Sequence, residues 1–199
     1  MQTILKSHIT TVILAGGQGR RMGGQDKGLI EIEGRPIIEL LIEQLNQQHA
    51  SIVINANRNQ NIYRQYGYPV ISDELTDFQG PLAGFATTMK AVETGYILTL
   101  PCDAPLLANN FIQAFIETHS RTGAAICVAH DGERLQPVHA LIRVDLLDDL
   151  NVFLQSGDRK IDRWYAQHNY APVDFSDQKN MFANINKPED RLAILEAIQ

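Results

Sequence analysis

A chain of 199 residues with 44% hydrophobic and 20% charged side chains can build one well-packed globular domain. Its 17 basic and 23 acidic residues leave a net charge of −6, which argues against a general nucleic-acid binder, because that class carries a basic surplus. No apolar run approaches the roughly 20 residues that cross a bilayer, and MQTILKSHITT at the start lacks the long apolar core of a signal peptide, so a cytoplasmic protein is expected.

The first predicted strand is ITTVILA (9–15), an apolar run without polar alternation, as in a strand covered on both faces. It leads into LAGGQGRRMGGQDKG (14–28), rich in glycine and carrying Arg20, Arg21 and Lys27. PIIELLIEQLNQQ (36–48) opens on proline and repeats apolar residues at helical spacing, which predicts a helix. SIVIN (51–55) is the next strand, QNIYRQYG a short helix stopped by Gly67, and YPVISD a third strand ending on Asp73. PLAGFATTMKAVE predicts a helix opened by Pro81, and YILTLPCDAP a buried strand running into a turn. NNFIQAFIETHSR and AAICVAH repeat helix and strand, and PVHALIRVDLLDDLNVFLQSG predicts a strand followed by a helix. MFANINKPEDRLAILEAIQ predicts a strand, a helix start at Pro188 and a terminal helix.

This alternation predicts an α/β fold, a Rossmann-like three-layer sandwich with a mostly parallel sheet and helices on both faces. No linker, charge block or repeat interrupts it, so residues 1–199 are read as one domain, with the stretch around 130–180 expected to form an excursion over a second substrate. Cys102 and Cys127 have no CxxC partner, which argues against a zinc site and for two small buried hydrophobes in a reducing compartment.

Open α/β sheets bind ligands beyond the carboxyl ends of their strands. The candidates there are Ala15–Gly16, Asn55, Asp73 and Asp103. The glycine-rich loop is not a Walker A motif, since Lys27 follows Asp26 and precedes Gly28 rather than a Ser or Thr. Nor is it a dinucleotide fingerprint, since Gly17 and Gly19 are followed by Met22 at the third glycine position. The physics still favours phosphate: glycines let backbone N–H groups converge on an anion, and the cations add charge-assisted hydrogen bonds. Asp103, at the end of a buried strand between Pro101 and Pro105, suits Mg²⁺ held by one carboxylate together with substrate phosphates. Taken alone, Asn55 and Asp73 read equally as turn residues at strand ends, and Asn186 as a helix N-cap.

The loop together with NANRNQ (55–60), ISDE (71–74), GPLAG (80–84), PCDAP, AHDGE (129–133), DFSD (174–177) and NINKPED (184–190) resembles the molybdenum cofactor guanylyltransferases of the nucleotidyltransferase superfamily. The resemblance runs along nearly the whole chain; the first loop marks the superfamily, and NANR, GPLAG and NINKPED narrow it. It implies a reaction in which the terminal phosphate of molybdenum-molybdopterin attacks the α-phosphorus of GTP, pyrophosphate leaves, and molybdopterin guanine dinucleotide forms, with Mg²⁺ required. It implies that Leu14, Ala15, Gly16, Gly17, Lys27, Asn55, Asp73, Gly80, Pro81, Leu82, Gly84 and Asp103 bind GTP. Lys27, Asp103 and Arg21 would form the catalytic set, with Asp103 the metal ligand and Asn184 and Asn186 near the pterin phosphate. Residues of about 9–105 would then form the GTP part and about 106–199 the molybdopterin part, with molybdenum-insertion and molybdoenzyme-chaperone proteins as further partners and neither nucleic acid nor membrane among them.

Arg159 and Lys160 read equally as a second phosphate contact or a solvated helix face. His130 and His139 are not read as general bases, because a phosphate monoester is already a competent nucleophile near neutral pH. No Ser/His/Asp or Cys/His constellation calls for a covalent intermediate, so direct in-line displacement is expected. The competing readings are a molybdopterin cytidylyltransferase or another nucleotidyltransferase, and a nucleotide-binding partner without chemistry.

Overall fold

The architecture is that of a computed structural model, which describes residues 4–15, 17, 24–73, 80–185 and 190. The first half contains β1 (Ile9–Leu14), the short pair β2 (Glu31–Ile32) and β3 (Arg35–Pro36), α1 (Ile37–Gln47), β4 (Ser51–Asn55), α2 (Gln60–Tyr63), β5 (Val70–Ile71), α3 (Pro81–Ala91) and β6 (Tyr96–Pro101). The second half contains α4 (Phe111–Thr122), β7 (Ile126–His130), β8 (Leu135–Arg143), α5 (Leu147–Gln155), α6 (Ile161–Tyr165) and β9 (Tyr170–Asp174). Seven strands form one sheet in the order β5-β4-β1-β6-β8-β7-β9. All run in one direction except β8, which is antiparallel to β6 and β7.

Successive side chains of a strand point to opposite faces, and both faces of this sheet are covered. Ile9 and Ile13 of β1 join Ile52, Ile54, Leu98 and Leu100 under α1 and α4, whose Ile38, Leu41, Phe111 and Phe115 complete that layer. Val12 of the same strand turns the other way, with Ile97, Val128 and Ile142, against Phe85 of α3, Leu150 of α5 and Trp164 of α6. The three-layer sandwich expected from the alternation is the observed one.

The differences from expectation have local causes. The helix opening at Pro36 starts one residue later, because Pro36 pairs with Glu31 in the small hairpin. The YPVISD strand shrinks to Val70–Ile71, at the sheet edge. The strand expected in MFANIN is a 3-10 turn at Lys179–Phe182, and the last strand is Tyr170–Asp174 instead. Pro172 is accommodated there because β9 is an edge strand, where a missing N–H is tolerated. The 130–180 stretch is not an excursion: β8 and β9 extend the main sheet. The Pro188 helix start and the terminal helix expected after it lie, apart from Asp190, outside the described residues.

One topological fact positions the site. From β1 the chain moves to β4 and β5 on one side, then crosses to β6 on the other. Strand order therefore reverses between β1 and β6, and the crevice at the carboxyl ends of strands at such a switch point is where open sheets bind ligands. The register sets Leu14 between Asn55 and Pro101 at that edge. The loop after β6 is held by α1: Gln44 donates to Pro105 O at 2.7 Å and accepts from Leu107 N at 2.8 Å. One turn later the buried Gln48 donates to Ala108 O at 2.9 Å and accepts from Ile112 N at 3.0 Å.

Candidate active site

Lys27 and Asp103 meet across the crevice. The Lys27 ammonium donates to Asp103 Oδ2 at 2.7 Å, with both side chains largely shielded from solvent. Lys27 lies in a 3-10 turn, Lys27–Leu29, that Asp26 caps by accepting from Gly28 N at 3.3 Å. Asp103 follows β6, where Cys102 N donates to Leu14 O at 3.1 Å and extends the pairing of β6 with β1 by one step. A cation on a carboxylate at a strand switch point is a site built for a charged ligand. Among the described residues no three His, Cys, Asp or Glu side chains gather into a metal cage. That donor set fits Mg²⁺, which is held by one or two hard carboxylate oxygens plus substrate phosphates rather than by a protein cage.

The second half of the glycine-rich loop is fastened from below by the segment after β4. Asp26, nearly buried, accepts from the Tyr63 hydroxyl at 2.6 Å and from Asn59 Nδ2 at 3.0 Å. Arg58 donates from Nη1 to Gly24 O at 2.6 Å and from Nη2 to Gln25 O at 2.8 Å, and its Nε lies 3.7 Å from Asp26 Oδ2. Burial, then the neighbouring Cys102 and the hydrogen bond to Asp26, push the Tyr63 phenol far up, so it stays a donor. Packing is close: a Cβ on Gly28 would stand 2.6 Å from the Tyr63 oxygen and 3.4 Å from Cys102 Cβ.

Asn55 and Asp73 are also brought together. Asn55 Nδ2 donates to Asp73 Oδ1 at 2.9 Å, Asn57 Nδ2 donates to Asp73 Oδ2 at 2.8 Å, and Asp73 N returns a bond to Asn57 Oδ1 at 2.8 Å. Gly84 of α3 lies directly against this group. A Cβ there would come within 2.7 Å of Asn55 Oδ1 and 2.9 Å of Leu14 Cδ2. Gly80 begins the helix with φ +83°, and Pro81 occupies the first turn. Leu82 is buried in the core, whereas Gly80 and Pro81 are exposed. Ala15 is buried and donates its N–H to Asn55 O at 2.8 Å, and Gly17 is exposed. Gly16, Arg20 and Arg21 lie outside the described residues.

On the far side of the crevice, Ile185 N donates to Asp103 O at 2.9 Å. This seats the exposed Asn184 next to the Asp103 turn; Asn186 is outside the described residues. AHDGE and DFSD are a matched pair of turns. Asp131 Oδ1 accepts from Glu133 N and Arg134 N, each at 2.8 Å, and these backbone donors hold its carboxyl below the usual range. Phe175 N donates to His130 O at 2.9 Å, and a Cβ on Gly132 would lie 2.9 Å from Ser176 Cβ. Arg159 directs Nη1 to Leu154 O at 2.6 Å, closing the end of α5, while Lys160 is exposed. His139 is buried edge-on to Phe111 and Phe182, its Nε2 has no hydrogen-bond partner among the described residues, and burial lowers its pKa to about 3. It is a neutral core group. Cys127 is buried with its thiol pushed up to about 12, and Cys102 is buried with its thiol raised further, chiefly by desolvation.

The sequence reading passed over Asp26, Asn57, Arg58, Asn59 and Tyr63 as individual residues. The available signal was the polar cluster NANRNQ directly after a strand end, where side chains face the same crevice as the first loop.

The family model of the MobA-like NTP transferase domain matches residues 11–173. A molybdenum cofactor guanylyltransferase of Shewanella sediminis is 48% identical over 190 residues, covering 96% of this chain and 97% of the relative. Another, of Shewanella halifaxensis, is 47% identical over 194 residues, covering 98% and 97%. The chain belongs to the molybdenum cofactor guanylyltransferases. Among solved structures, molybdopterin-guanine dinucleotide biosynthesis protein A of Archaeoglobus fulgidus superposes with a TM-score of 0.80 at 20% identity, over 95% of this chain and 98% of that one. A 4-diphosphocytidyl-2C-methyl-D-erythritol synthase of Anaerococcus prevotii gives 0.74 at 13% identity over 96% of each. At such identities the fold alone is shared. As a member of a guanylyltransferase family with a nucleotidyltransferase domain, the chain is an enzyme, and among its described residues no helix is long and apolar enough to cross a membrane.

Proposed function

We propose that this enzyme transfers GMP from GTP to the terminal phosphate of molybdenum-molybdopterin, releasing pyrophosphate and forming molybdopterin guanine dinucleotide. The observation that carries the reading is the Lys27–Asp103 pair at the β1/β6 switch point, 2.7 Å apart, in a chain of this family. In the proposed complex, Lys27 and Arg21 offset the charge that develops on the triphosphate as the bond to pyrophosphate breaks. Asp103 would hold Mg²⁺, which when bound supplies further charge neutralisation at the phosphates.

Asn55 and Asp73 hold the nucleoside, with Leu14, Ala15, Gly16 and Gly17 beside it and Gly80 and Pro81 closing over base and ribose, while Leu82 anchors that segment in the core. Gly84 serves this site from behind, by leaving room for Asn55. Asn184 and Asn186 serve the pterin phosphate, so that the part before about residue 105 serves GTP and the part after it serves molybdopterin. No enzymic base is required, because the attacking phosphate is already anionic, and the work is alignment and electrostatics. The reaction runs in the cytoplasm, with molybdenum-insertion and molybdoenzyme-chaperone proteins as the partners that supply and receive the cofactor.

Calorimetry with GTP, CTP, ATP and UTP, each with Mg²⁺, tests the base, and pyrophosphate release on adding molybdopterin tests the chemistry. GTP preferred over CTP, with pyrophosphate formed only when both substrates are present, is the expected result. A preference for CTP would move the enzyme to cytidylyl transfer, and nucleotide binding without pyrophosphate would make it a binding partner.

A further inference from the structure

The guanidinium of Arg58 straddles two successive carbonyls, Gly24 O at 2.6 Å and Gln25 O at 2.8 Å. In a planar trans peptide the N–H points opposite to the C=O. Holding those two oxygens on one side therefore turns the N–H groups of Gln25 and Asp26 to the other. Two consecutive amides aimed the same way, followed at once by the Lys27 ammonium, make an anion-binding concavity. Its direction is set from outside the loop.

The rest of the fastening agrees. Asp26 turns its carboxylate inward to Tyr63, Asn59 and the Arg58 side, away from the crevice. A negative group that would repel phosphate is thereby kept buried, and its neighbour Lys27 is left to reach Asp103. Arg58 itself is committed to backbone oxygens and stands below the loop. Lysine could not replace it, because one ammonium lacks the planar fork that bridges two carbonyls.

We infer that Arg58 is a positioning residue for GMP transfer: by clamping Gly24 O and Gln25 O it presets the Gln25 and Asp26 amides and Lys27 for the nucleotide phosphates. This rests on the reading of the crevice as the GTP site. Misplacing reacting groups by about 1 Å costs on the order of 10²-fold in rate. The variants are Arg58→Ala, Arg58→Lys, Lys27→Ala and the double variant Arg58→Ala/Lys27→Ala.

Expected are a fall in kcat of ~30- to 100-fold for Arg58→Ala, little recovery in Arg58→Lys, and partial rescue of Arg58→Ala by added guanidinium ion. In the Lys27→Ala background the Arg58 change should cost no more than about 3-fold, because groups acting as a unit are not additive. Hydrogen exchange should accelerate at residues 24–28 in Arg58→Ala while β1 and β6 stay protected. The inference is overturned if Arg58→Ala turns over near the wild-type rate, if its loss multiplies with that of Lys27→Ala, or if exchange at 24–28 is unchanged. If the wild-type chain releases no pyrophosphate from GTP and molybdopterin, the functional reading fails; the exchange measurement, made without substrate, still decides the clamp.

Discussion

Lys27 and Asp103 stand 76 residues apart in the chain and 2.7 Å apart in space. Asp103 lies in the turn just past β6 and Lys27 at the far end of the loop that leaves β1, so two neighbouring parallel strands supply the pair. Asp103→Asn keeps the shape and removes the charge. Pyrophosphate release should fall by ~10²-fold or more, and half-maximal activity should require a higher Mg²⁺ concentration. Near-normal turnover at unchanged Mg²⁺ dependence would move the metal ligand elsewhere.

Gly84→Ala gives a prediction whose sign is informative. In a helix interior alanine is favoured over glycine by about 1 kcal/mol. Here the new methyl would stand 2.7 Å from Asn55 Oδ1. Overpacking of this kind costs ~1–3 kcal/mol, so chemical denaturation should show a less stable protein, and Asn55 should be driven off Asp73 with weaker GTP binding. The double variant Gly84→Ala/Asn55→Ala should regain part of the stability, and a simple stabilisation by Gly84→Ala would refute the contact.

Asn57→Ala removes a donor from Asp73 Oδ2 and the acceptor of Asp73 N. Each lost hydrogen bond in a partly buried site is worth about 1 kcal/mol. With Asp73 less firmly held, the GTP KM should rise by ~10-fold while kcat changes little, the pattern of an interaction equal in ground and transition states. Steady-state kinetics at saturating molybdopterin measures it, and an unchanged KM would detach Asn57 from nucleotide binding.

His139 makes stability depend on pH. Its pKa lies near 3 in the folded chain, lowered by burial from an ordinary value of 6.5. Above the unfolded pKa both states are neutral and no penalty arises. As pH falls from about 6.5 toward 3 the unfolded chain takes up a proton that the folded chain refuses, so stability is progressively lost over that window. His139→Leu should flatten the fall in unfolding free energy between pH 7 and 4. An identical acid profile in both proteins would show that His139 does not contribute to it.

Gln48→Leu should destabilise the fold by ~1–3 kcal/mol despite adding apolar surface, because Ile112 N would be left unpaired in a buried place and Ala108 O would keep only Phe111 N as a donor. The loss should appear in urea midpoints and in faster exchange of the Ile112 amide.

Much of the fold is readable because strand and helix periods differ. β1, β4 and β6 are apolar runs without alternation, and α1, α3 and α4 repeat at helical spacing, so the layers follow. β9 escaped the reading because its alternating, half-exposed pattern is interrupted by Pro172, and the reversal of β8 because direction is not encoded in apolar content. At the site, Asn55, Asp73 and Asp103 were legible as strand ends. Asn57 and Arg58 were not, since what they hold are a carboxylate 16 residues away and carbonyls 33 and 34 residues away. Only the folded sheet brings those distances to zero. Gly84 was legible as important, while its reason, the Asn55 side chain behind it, required the helix to be docked.

Gly28 carries one more consequence. Tyr63 closes over it from one strand's loop and Cys102 from another's. The 14–28 stretch is thus not an exchangeable cassette. Grafted alone into a distant relative, it would meet a different wall at Gly28 and lose its seat. Only chains that keep compatible partners after β4 and β6 can accept it, so these three stretches are constrained to diverge together.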